Sequence, residues 1–337
     1  MTVLPRILAA TALMLTLGGL SHAAERIIIS SPGPINWGHY IAVDQGLFAK
    51  YGLEVEVQYG QHPVGIAAVT NKQAIATHYG VDPAIAAASK SDRLVLVGGT
   101  ANVGNFAVMG RPGWKGGFKG ARIAIGRAGD PPYFYMLSLL KALGEDPKSV
   151  TWVGAGPPAQ RAVALANNLA DLSIVSSPDY FKLEAQGYPV VARLAEHQDV
   201  VIATAMVMRR ETVESQRDTV LNLLRGYLEG IAVFYKNPAA AKQAVLRFIK
   251  MDDPAYADRL YSEYIKTQSF ARVPYLRKAV VAATLERTTD PALKSANLAP
   301  AIANQLIDQL VQEGFFVKVF GSGIEGEIKK QREAAFR

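Results

Sequence analysis

The sequence predicts an α/β protein of two lobes, each a mainly parallel sheet flanked by helices, with a helical C-terminal part packed on the first lobe. Residues 26–89, and again the chain from residue 122, alternate strand and helix three times, so the two halves resemble each other. Beyond residue 212, large apolar residues recur at helical spacing. Half of the 337 residues are apolar, which is enough for more than one core.

The first series begins with Arg26 to Ser30, a continuous apolar run typical of a strand buried on both faces. A helix follows with apolar residues at helical spacing. Residues 53–59 then alternate apolar and polar, which indicates a strand with one wet face. The pattern continues with a helix at 64–71, a strand at 74–79, a helix at 82–89, and strands at 93–100 and 106–110.

The second series begins with the strand at 122–126 and a helix opened by Pro131 and Pro132, which ends near Gly144. A strand at 150–154, a helix from about residue 158 and a strand at 172–176 follow. Residues 197–211 then cross back as a strand, and helices are predicted near 212–235, 239–250, 254–268, 274–286 and 300–313.

Composition also predicts the lobe boundaries. The stretch Gly110 to Gly120 is dense in glycine and poor in apolar residues, which favours a crossing between domains. The predicted first lobe spans 24–112 and 206–337, the second lobe spans 113–205, and hinge crossings lie near 110–120 and 198–208.

Residues 1–23 have the pattern of a cleaved export signal. Arg6 precedes an apolar run from residue 7 to residue 20, and small residues end at Ala23. That run is shorter than the ~20 residues a membrane-spanning helix needs. The predicted mature protein is therefore soluble and exported, and the expected cut lies after Ala23.

Net charge and cysteine content indicate the kind of ligand and exclude several kinds of site. Losing Arg6 leaves 35 Lys and Arg against 29 Asp and Glu, so the net charge falls from +7 to +6. This diffuse surplus favours anionic small molecules or surfaces, and no aromatic-interleaved basic stripe indicates nucleic acid. The absence of cysteine excludes disulfides, thiolate metal sites and a cysteine nucleophile.

The sequence contains no complete motif for catalysis or cofactor binding. Residues 154–159, "GAGPPA", fit a dinucleotide pattern, but two prolines remove backbone N–H groups and no acidic residue ends the next strand. No H-E-x-x-H motif and no G-x-S-x-G motif occur in the sequence. We therefore predict no catalytic residue, no metal and no cofactor.

The six strand-to-helix loops are the predicted site, because open α/β sheets bind ligands at the carboxyl ends of their strands. Three histidines and several aromatic residues fall on these loops and would give a pocket with apolar walls and polar anchors. Of the three aromatic residues at 133–135, helical spacing lets only some face the pocket, and Tyr133 is the predicted one. The predicted ligand contacts are Ser31, Trp37, His39, Tyr40, Gln61, His62, Tyr79, Asp82, Arg127, Tyr133, Gln160, Ser176 and Tyr180.

Arg127 is the predicted anion anchor. It directly follows a strand and precedes a helix N-terminus capped by Asp130, where a guanidinium and free N–H groups suit an oxyanion. The alternative is an ion pair between Arg127 and Asp130 itself.

The run "WGHYIAVDQGLFAKYGLEVEV" resembles periplasmic substrate-binding proteins of ABC importers in the sulfonate/nitrate/taurine and thiamine-pyrimidine (NMT1/THI5-like) superfamily. Its A-x-x-x-G-x-F-x-x-x-G-L-x-V pattern is matched by Ala42, Gly46, Phe48, Gly52, Leu53 and Val55. The resemblance covers about residues 26–235. Residues 168–171, "NLAD", depart from the family's usual Gly before Val-Asp.

This resemblance implies a type II clamp that closes on a small ligand in the periplasm and then docks on a permease served by an ATPase. It implies a monomer without a cofactor. Arg127 and the net charge favour a sulfonate or carboxylate with an aromatic body, and a thiamine-precursor-like pyrimidine is the alternative. An exported sensor or an enzyme on the same fold also stays open, although the superfamily's eukaryotic enzymes depend on a cysteine-rich segment.

Overall fold

A computed structural model describes residues 25–29, 36–59, 62–101, 106–177, 179–197 and 203–337. Its strands form two separate sheets. The strands are β1 (Glu25–Ile29), β2 (Val55–Tyr59), β3 (Ala76–Gly80), β4 (Leu94–Ala101), β5 (Phe106–Gly110), β6 (Arg122–Ile125), β7 (Thr151–Gly154), β8 (Leu172–Ser176), β9 (Val190–Arg193) and β10 (Thr204–Arg209).

The two sheets have matching topologies. The first has the order β2-β1-β3-β10-β4 and the second the order β7-β6-β8-β5-β9. In each sheet the fourth strand is antiparallel to both neighbours, and the pairs β1 with β2 and β3, and β6 with β7 and β8, are parallel. The predicted α/β class with two mainly parallel sheets is confirmed.

Helices follow the strands and cover both sheets. Those of the two α/β series are α1 (Trp37–Asp44), α2 (His62–Thr70), α3 (Val81–Ser89), α4 (Pro131–Ala142), α5 (Pro158–Ala166) and α6 (Asp179–Ala185). The C-terminal helices are α7 (Arg210–Ser215), α8 (Arg217–Lys236), α9 (Pro238–Ile249), α10 (Pro254–Lys266), α11 (Lys278–Arg287), α12 (Pro291–Lys294), α13 (Gln305–Gln312), α14 (Phe315–Phe320) and α15 (Glu325–Ala334). Within the described residues, no helix has both the length and the apolar character required to cross a membrane.

The C-terminal helices pack on the first lobe through α1 and α8. Glycines allow a close approach, since a Cβ on Gly230 would lie 2.3 Å from the carbonyl oxygen of Gly38. Phe234 and Tyr227 of α8 are buried beside Trp37 and His39 of α1. The residues at the start of α1 are therefore enclosed between the first sheet and the helical layer.

One predicted boundary differs from the structure. Strand β5 was assigned to the first lobe by the boundary at residue 112, but it pairs with β8 and β9 in the second sheet. The change from the first sheet to the second therefore lies between the end of β4 at Ala101 and the start of β5 at Phe106, and not at 110–120. The glycines of 110–120 serve a turn packed on Trp114, where a Cβ on Gly110 or Gly116 would lie 2.9 or 2.7 Å from that side chain. The return crossing, between β9 and β10, overlaps the predicted 198–208.

Candidate functional site between the two lobes

The carboxyl ends of the two sheets face each other. Gly80 ends β3 in the first lobe, and a Cβ there would lie 3.2 Å from Pro131, which begins α4 in the second lobe. The hydroxyl of Tyr135 lies 3.6 Å from the same point. This is the edge at which open α/β sheets bind ligands, so the space between the lobes is the candidate site.

The lobes touch along a first seam formed by α3, α4 and α11. Arg287 of α11 donates to Asp82 of α3 at 2.6 Å and to Ser138 of α4 at 2.9 Å. The side chains of Arg287 and Asp82 are only 10% and 4% exposed. Asp82, a predicted ligand contact, therefore has its charge matched by a buried arginine that also reaches the second lobe.

A second seam joins α6 to α10. Tyr180 donates its hydroxyl proton to Glu263, and the rings of Phe181 and Tyr256 lie 5.5 Å apart, edge to face. The guanidinium of Arg259 lies 3.8 Å from the ring centre of Phe181. Burial, and then the hydrogen bond to Glu263, raises the pKa of Tyr180, so this hydroxyl stays a donor at neutral pH.

A cavity of about 190 Å³ lies beside the second seam. The second lobe contributes the start of β5, the start of α6 and the segment after β9, whereas the other wall is the end of α10 and the residues after it. Its lining consists of Phe106, Tyr180, Arg193, Ala195, Glu196, Glu263, Tyr264, Lys266, Thr267 and Ser269. Three aromatic rings and a few charged or hydroxyl groups are a lining suited to a small organic molecule.

Arg193 is the lining residue with an unused donor. Its Nη2 donates to Glu184 at 2.8 Å, and its Nε lies 4.0 Å from Glu196. Its Nη1 is buried and has no hydrogen-bond partner within the described part of the chain. The guanidinium also lies 5.5 Å from the ring centre of Tyr180.

The residues predicted at the first loop lie in the core. Trp37, His39 and Tyr40 are 0%, 0% and 1% exposed. Trp37 packs edge to face on Phe234, and Tyr40 stacks on Phe248 with ring centres 4.6 Å apart. These contacts give them a packing role that the loop position alone did not indicate, because the C-terminal helices cover α1.

His39 and His78 form a buried pair. His39 Nε2 lies 2.9 Å from His78 Nδ1, and the other ring nitrogen of His78 contacts the hydroxyls of Thr100 and Thr204. Burial lowers the pKa of His78 to about 3, and burial together with His78 lowers the pKa of His39 well below its usual value. Both rings are therefore neutral at physiological pH.

Tyr79 and Arg127 come together across the cleft. Burial and then the charge of Asp130 raise the pKa of Tyr79, whereas Arg127 lowers it, so the three side chains share one electrostatic environment. Arg127 donates from Nε to Asp130 at 3.0 Å, which is the alternative weighed for it from sequence. Its side chain is 70% exposed. A ligand contact by Arg127 stays a prediction.

The remaining predicted contacts lie on the second lobe or outside the described residues. Tyr133 is half-buried against Trp152, with ring centres 4.9 Å apart, whereas its neighbour Tyr135 faces the first lobe. Gln160 is exposed on α5 and Ser176 is partly buried at the end of β8. His62 begins α2. Ser31, Gln61 and the predicted signal at 1–23 lie outside the described residues.

Sequence reasoning missed Arg193, Lys266 and a third basic residue, Arg161. Arg161 is 3% exposed and donates to the backbone carbonyls of Ile174 at 3.1 Å and Gly156 at 3.0 Å, so it joins strand β8 to the turn before α5. Burial lowers the pKa of Arg161 to about 10, still above physiological pH. Its place three residues after the turn "GPP" is the one signal that could have found it.

A protein-family model described as NMT1/THI5 like matches residues 35–241, more than half of the chain. The chain belongs to this family. The match covers the two α/β series from α1 onward and the start of the C-terminal helices, and it confirms the resemblance seen in the opening run. No curated protein matches this chain.

Solved structures share the fold. The alkanesulfonate-binding protein SsuA of Xanthomonas axonopodis pv. citri, bound to MOPS, superposes with a TM-score of 0.67 at 16% identity, covering 83% of this chain and 98% of that one. The periplasmic nitrate-binding protein NrtA of Synechocystis PCC 6803 gives 0.67 at 14% identity, with 86% and 88% covered. The aliphatic sulphonate-binding protein SsuA of Escherichia coli gives 0.64 at 14% identity, with 94% and 93% covered.

Proposed function

We propose that this protein is the periplasmic solute-binding component of an ABC importer. It captures a small organic anion, a sulfonate or carboxylate, in the cleft between its lobes and delivers it to a membrane permease served by an ATPase. The observation that carries this proposal is the cavity whose walls come from the two lobes, one at the carboxyl end of the second sheet and the other at the end of α10.

Family membership and the sequence support the same function. The similar solved structures are named as sulfonate-binding and nitrate-binding proteins, and the N-terminal pattern predicts export. The protein acts as a monomer, binds its ligand without changing it and needs no cofactor. Closure of the lobes around the ligand presents a distinct shape to the permease.

The aromatic lining favours a second candidate ligand. Phe106, Tyr180 and Tyr264 line the cavity, and an aromatic lining suits a pyrimidine related to thiamine precursors as well as an aromatic acid. The two ligand classes differ in charge, so a screen containing both distinguishes them.

A thermal-shift screen of purified protein tests this function. The panel contains alkyl and aromatic sulfonates, aromatic carboxylates, nitrate and pyrimidines. A true ligand at 100 times its Kd stabilises the folded state by about 2.7 kcal/mol. The expected result is a hit among the organic anions that mass spectrometry recovers unchanged after incubation. Chemical turnover of the hit, or no stabilisation by any class, would contradict solute binding.

Localisation has its own test. Fractionation of cells producing the full chain should place the protein in the periplasm with Ala24 at its N-terminus. Recovery from the cytoplasm with an intact N-terminus would contradict export.

A further inference from the structure

The two seams between the lobes differ in the apolar packing behind them. At the second seam, Phe181 of the second lobe and Tyr256 of α10 belong to one buried apolar cluster. That cluster extends from β6 and α5 of the second lobe to α1 and α8 of the first. At the first seam, the described residues of α3 and α11 belong to one buried cluster and those of α4 to another. The second seam is therefore part of a continuous core, whereas the first is a contact between two separate cores.

Hydrogen bonds and an ion pair cross the first seam. Arg287 donates from Nη2 to Asp82 at 2.6 Å within the first lobe, and from Nη1 to Ser138 of the second lobe at 2.9 Å. Lys141 and Glu286 form an ion pair across the same seam, and their side chains are 67% and 61% exposed. Water can replace such contacts when lobes separate, whereas separation at the second seam would expose aromatic rings. The first seam therefore costs less free energy to open.

Gly80 allows the lobes to touch at the first seam. The three atoms nearest to a Cβ placed on Gly80 all belong to the second lobe: two atoms of Pro131 at 3.2 and 3.6 Å, and the hydroxyl oxygen of Tyr135 at 3.6 Å. The backbone of Gly80 has a φ of −61° and a ψ of 136°, which other residues also adopt. A larger side chain at this position would therefore fit its own backbone and collide with the facing lobe.

We propose that the lobes separate at the first seam and pivot on the second, and that the hydrogen bond from Arg287 to Ser138 holds the protein closed in the absence of a ligand. The bond between Arg287 and Asp82 lies within the first lobe, so it is kept when the lobes separate. Both the pivot and the closing bond are properties of the folded chain, whatever ligand it binds.

Distance measurements on the ligand-free protein test this proposal. The chain contains no cysteine, so introduced cysteine pairs accept spin labels at chosen positions only. Lys148→Cys beside α4, combined with Lys294→Cys in α12, reports on the first seam. Lys182→Cys in α6, combined with Ser262→Cys in α10, reports on the second seam. All four residues are exposed, so labels at these positions leave the cores intact.

Three variants in each labelled background give the expected results. Gly80→Val should lengthen the distance across the first seam and leave that across the second unchanged, because its side chain occupies the space of Pro131 in the closed form. Ser138→Ala should lower the ratio of closed to open protein by about 10-fold, the effect of losing one hydrogen bond to a charged group. Lys141→Ala is the matched control and should change this ratio by less than about twofold, because its ion pair is exposed.

Other distance results would overturn the proposal. Lengthening across the second seam, or no lengthening across either seam in Gly80→Val, would exclude the pivot. A ligand-free wild type as open as Gly80→Val, or an unchanged closed fraction in Ser138→Ala, would exclude the closing bond. If Gly80→Val does not fold, Gly80→Ala serves instead, since its Cβ alone would lie 3.2 Å from Pro131.

A titration with the hit from the thermal-shift screen links this motion to ligand capture, and this link alone rests on the proposed function. Gly80→Val should bind the hit more weakly than wild type, because a ligand that needs the closed form binds in proportion to the closed fraction. Equal affinities, together with the expected distances, would contradict capture by closure and leave the pivot and the closing bond intact.

Discussion

The starts of α1 and α4 occupy equivalent places in the two lobes, yet their aromatic residues have different environments. Trp37 and Tyr40 of α1 are fully buried, whereas Tyr133 and Phe134 of α4 keep part of their surface exposed. The C-terminal helices pack over α1, and α4 has no equivalent layer among the described helices. A position at the carboxyl end of a strand therefore does not determine whether an aromatic residue faces a cleft. The elements that pack over that position determine it.

A second comparison shows how similar the two lobes are locally. The turn after α2 contains Lys72 with a φ of 62°, and the turn after α5 contains Asn168 with a φ of 56°. The hydrogen bonds match, since Lys72 and Asn168 donate to Val69 and Leu165 at 3.2 Å each. The two turns therefore share one backbone conformation and one hydrogen-bond pattern.

The largest expected effect is the difference in stability between substitutions at Trp37 of α1 and at Tyr133 of α4. Trp37→Ala should lower the free energy of unfolding by about 3–5 kcal/mol, because it opens a cavity in a closed core. Tyr133→Ala should cost about 1–2 kcal/mol, because part of that ring already contacts water. Urea denaturation of both variants measures the difference. Equal losses would contradict the idea that the helical layer makes α1 part of the core.

The next prediction concerns the first seam. Arg287→Ala leaves Asp82 buried without its cation and should cost about 3 kcal/mol in the free energy of unfolding. Lys141→Ala is the matched control, because Lys141 and Glu286 join the same two helices while both are exposed, and it should cost no more than about 0.5 kcal/mol. A small effect of Arg287→Ala would show that the seam does not contribute to the folded state.

The third prediction concerns the pair formed by His39 and His78. The described residues of the second lobe contain no equivalent pair. Both folded-state pKa values lie below the usual 6.5, so the unfolded chain binds more protons below that pH. The contribution of the neutral pair to the free energy of unfolding is fully present above about pH 6.5. Below that pH the free energy of unfolding should fall by about 1.4 kcal/mol per pH unit for each histidine. Denaturation between pH 7 and pH 5 measures this slope.

Two variants identify the source of that slope. His39→Leu removes one titrating ring, so its stability should depend less steeply on pH than that of wild type. His197→Gln, at a partly exposed histidine outside the pair, is the control variant. A slope in His39→Leu as steep as in wild type would assign the pH dependence to other groups.

The smallest expected effect tests the repeated turn. Lys72→Gly should stabilise the protein by about 0.5–1 kcal/mol relative to Lys72→Ala, because glycine adopts positive φ without strain. Asn168→Gly should gain about 0.3 kcal/mol, since asparagine tolerates this conformation better than lysine. Differential scanning calorimetry measures both stability differences, provided that the variants share one denatured-state baseline. A loss of stability in Lys72→Gly would contradict the equivalence of the turns.

Much of the fold could be predicted, because strands and helices leave periodic patterns in the chain. The prediction placed β5 in the wrong lobe because a short strand such as "FAVMG" carries no sign of which sheet it joins. Arg193 could not be found from sequence, because "VARLAEH" has no motif and its hydrogen-bond partner Glu184 lies on another element, α6. The ligand contact predicted for Asp82 stays a prediction, and its pairing with Arg287, 205 residues away, was not foreseeable.

By itself, the sequence determined the α/β class, the duplicated strand-helix series and the family, because each depends on local periodicity and on short runs of residues. The tertiary structure alone decided which side chains are core and which line the cavity. Burial and pairing depend on elements distant in the chain, such as α8 over α1, α10 against α6 and α11 against α3. Local patterns determine which surface of an element is apolar, and only packing determines what covers it.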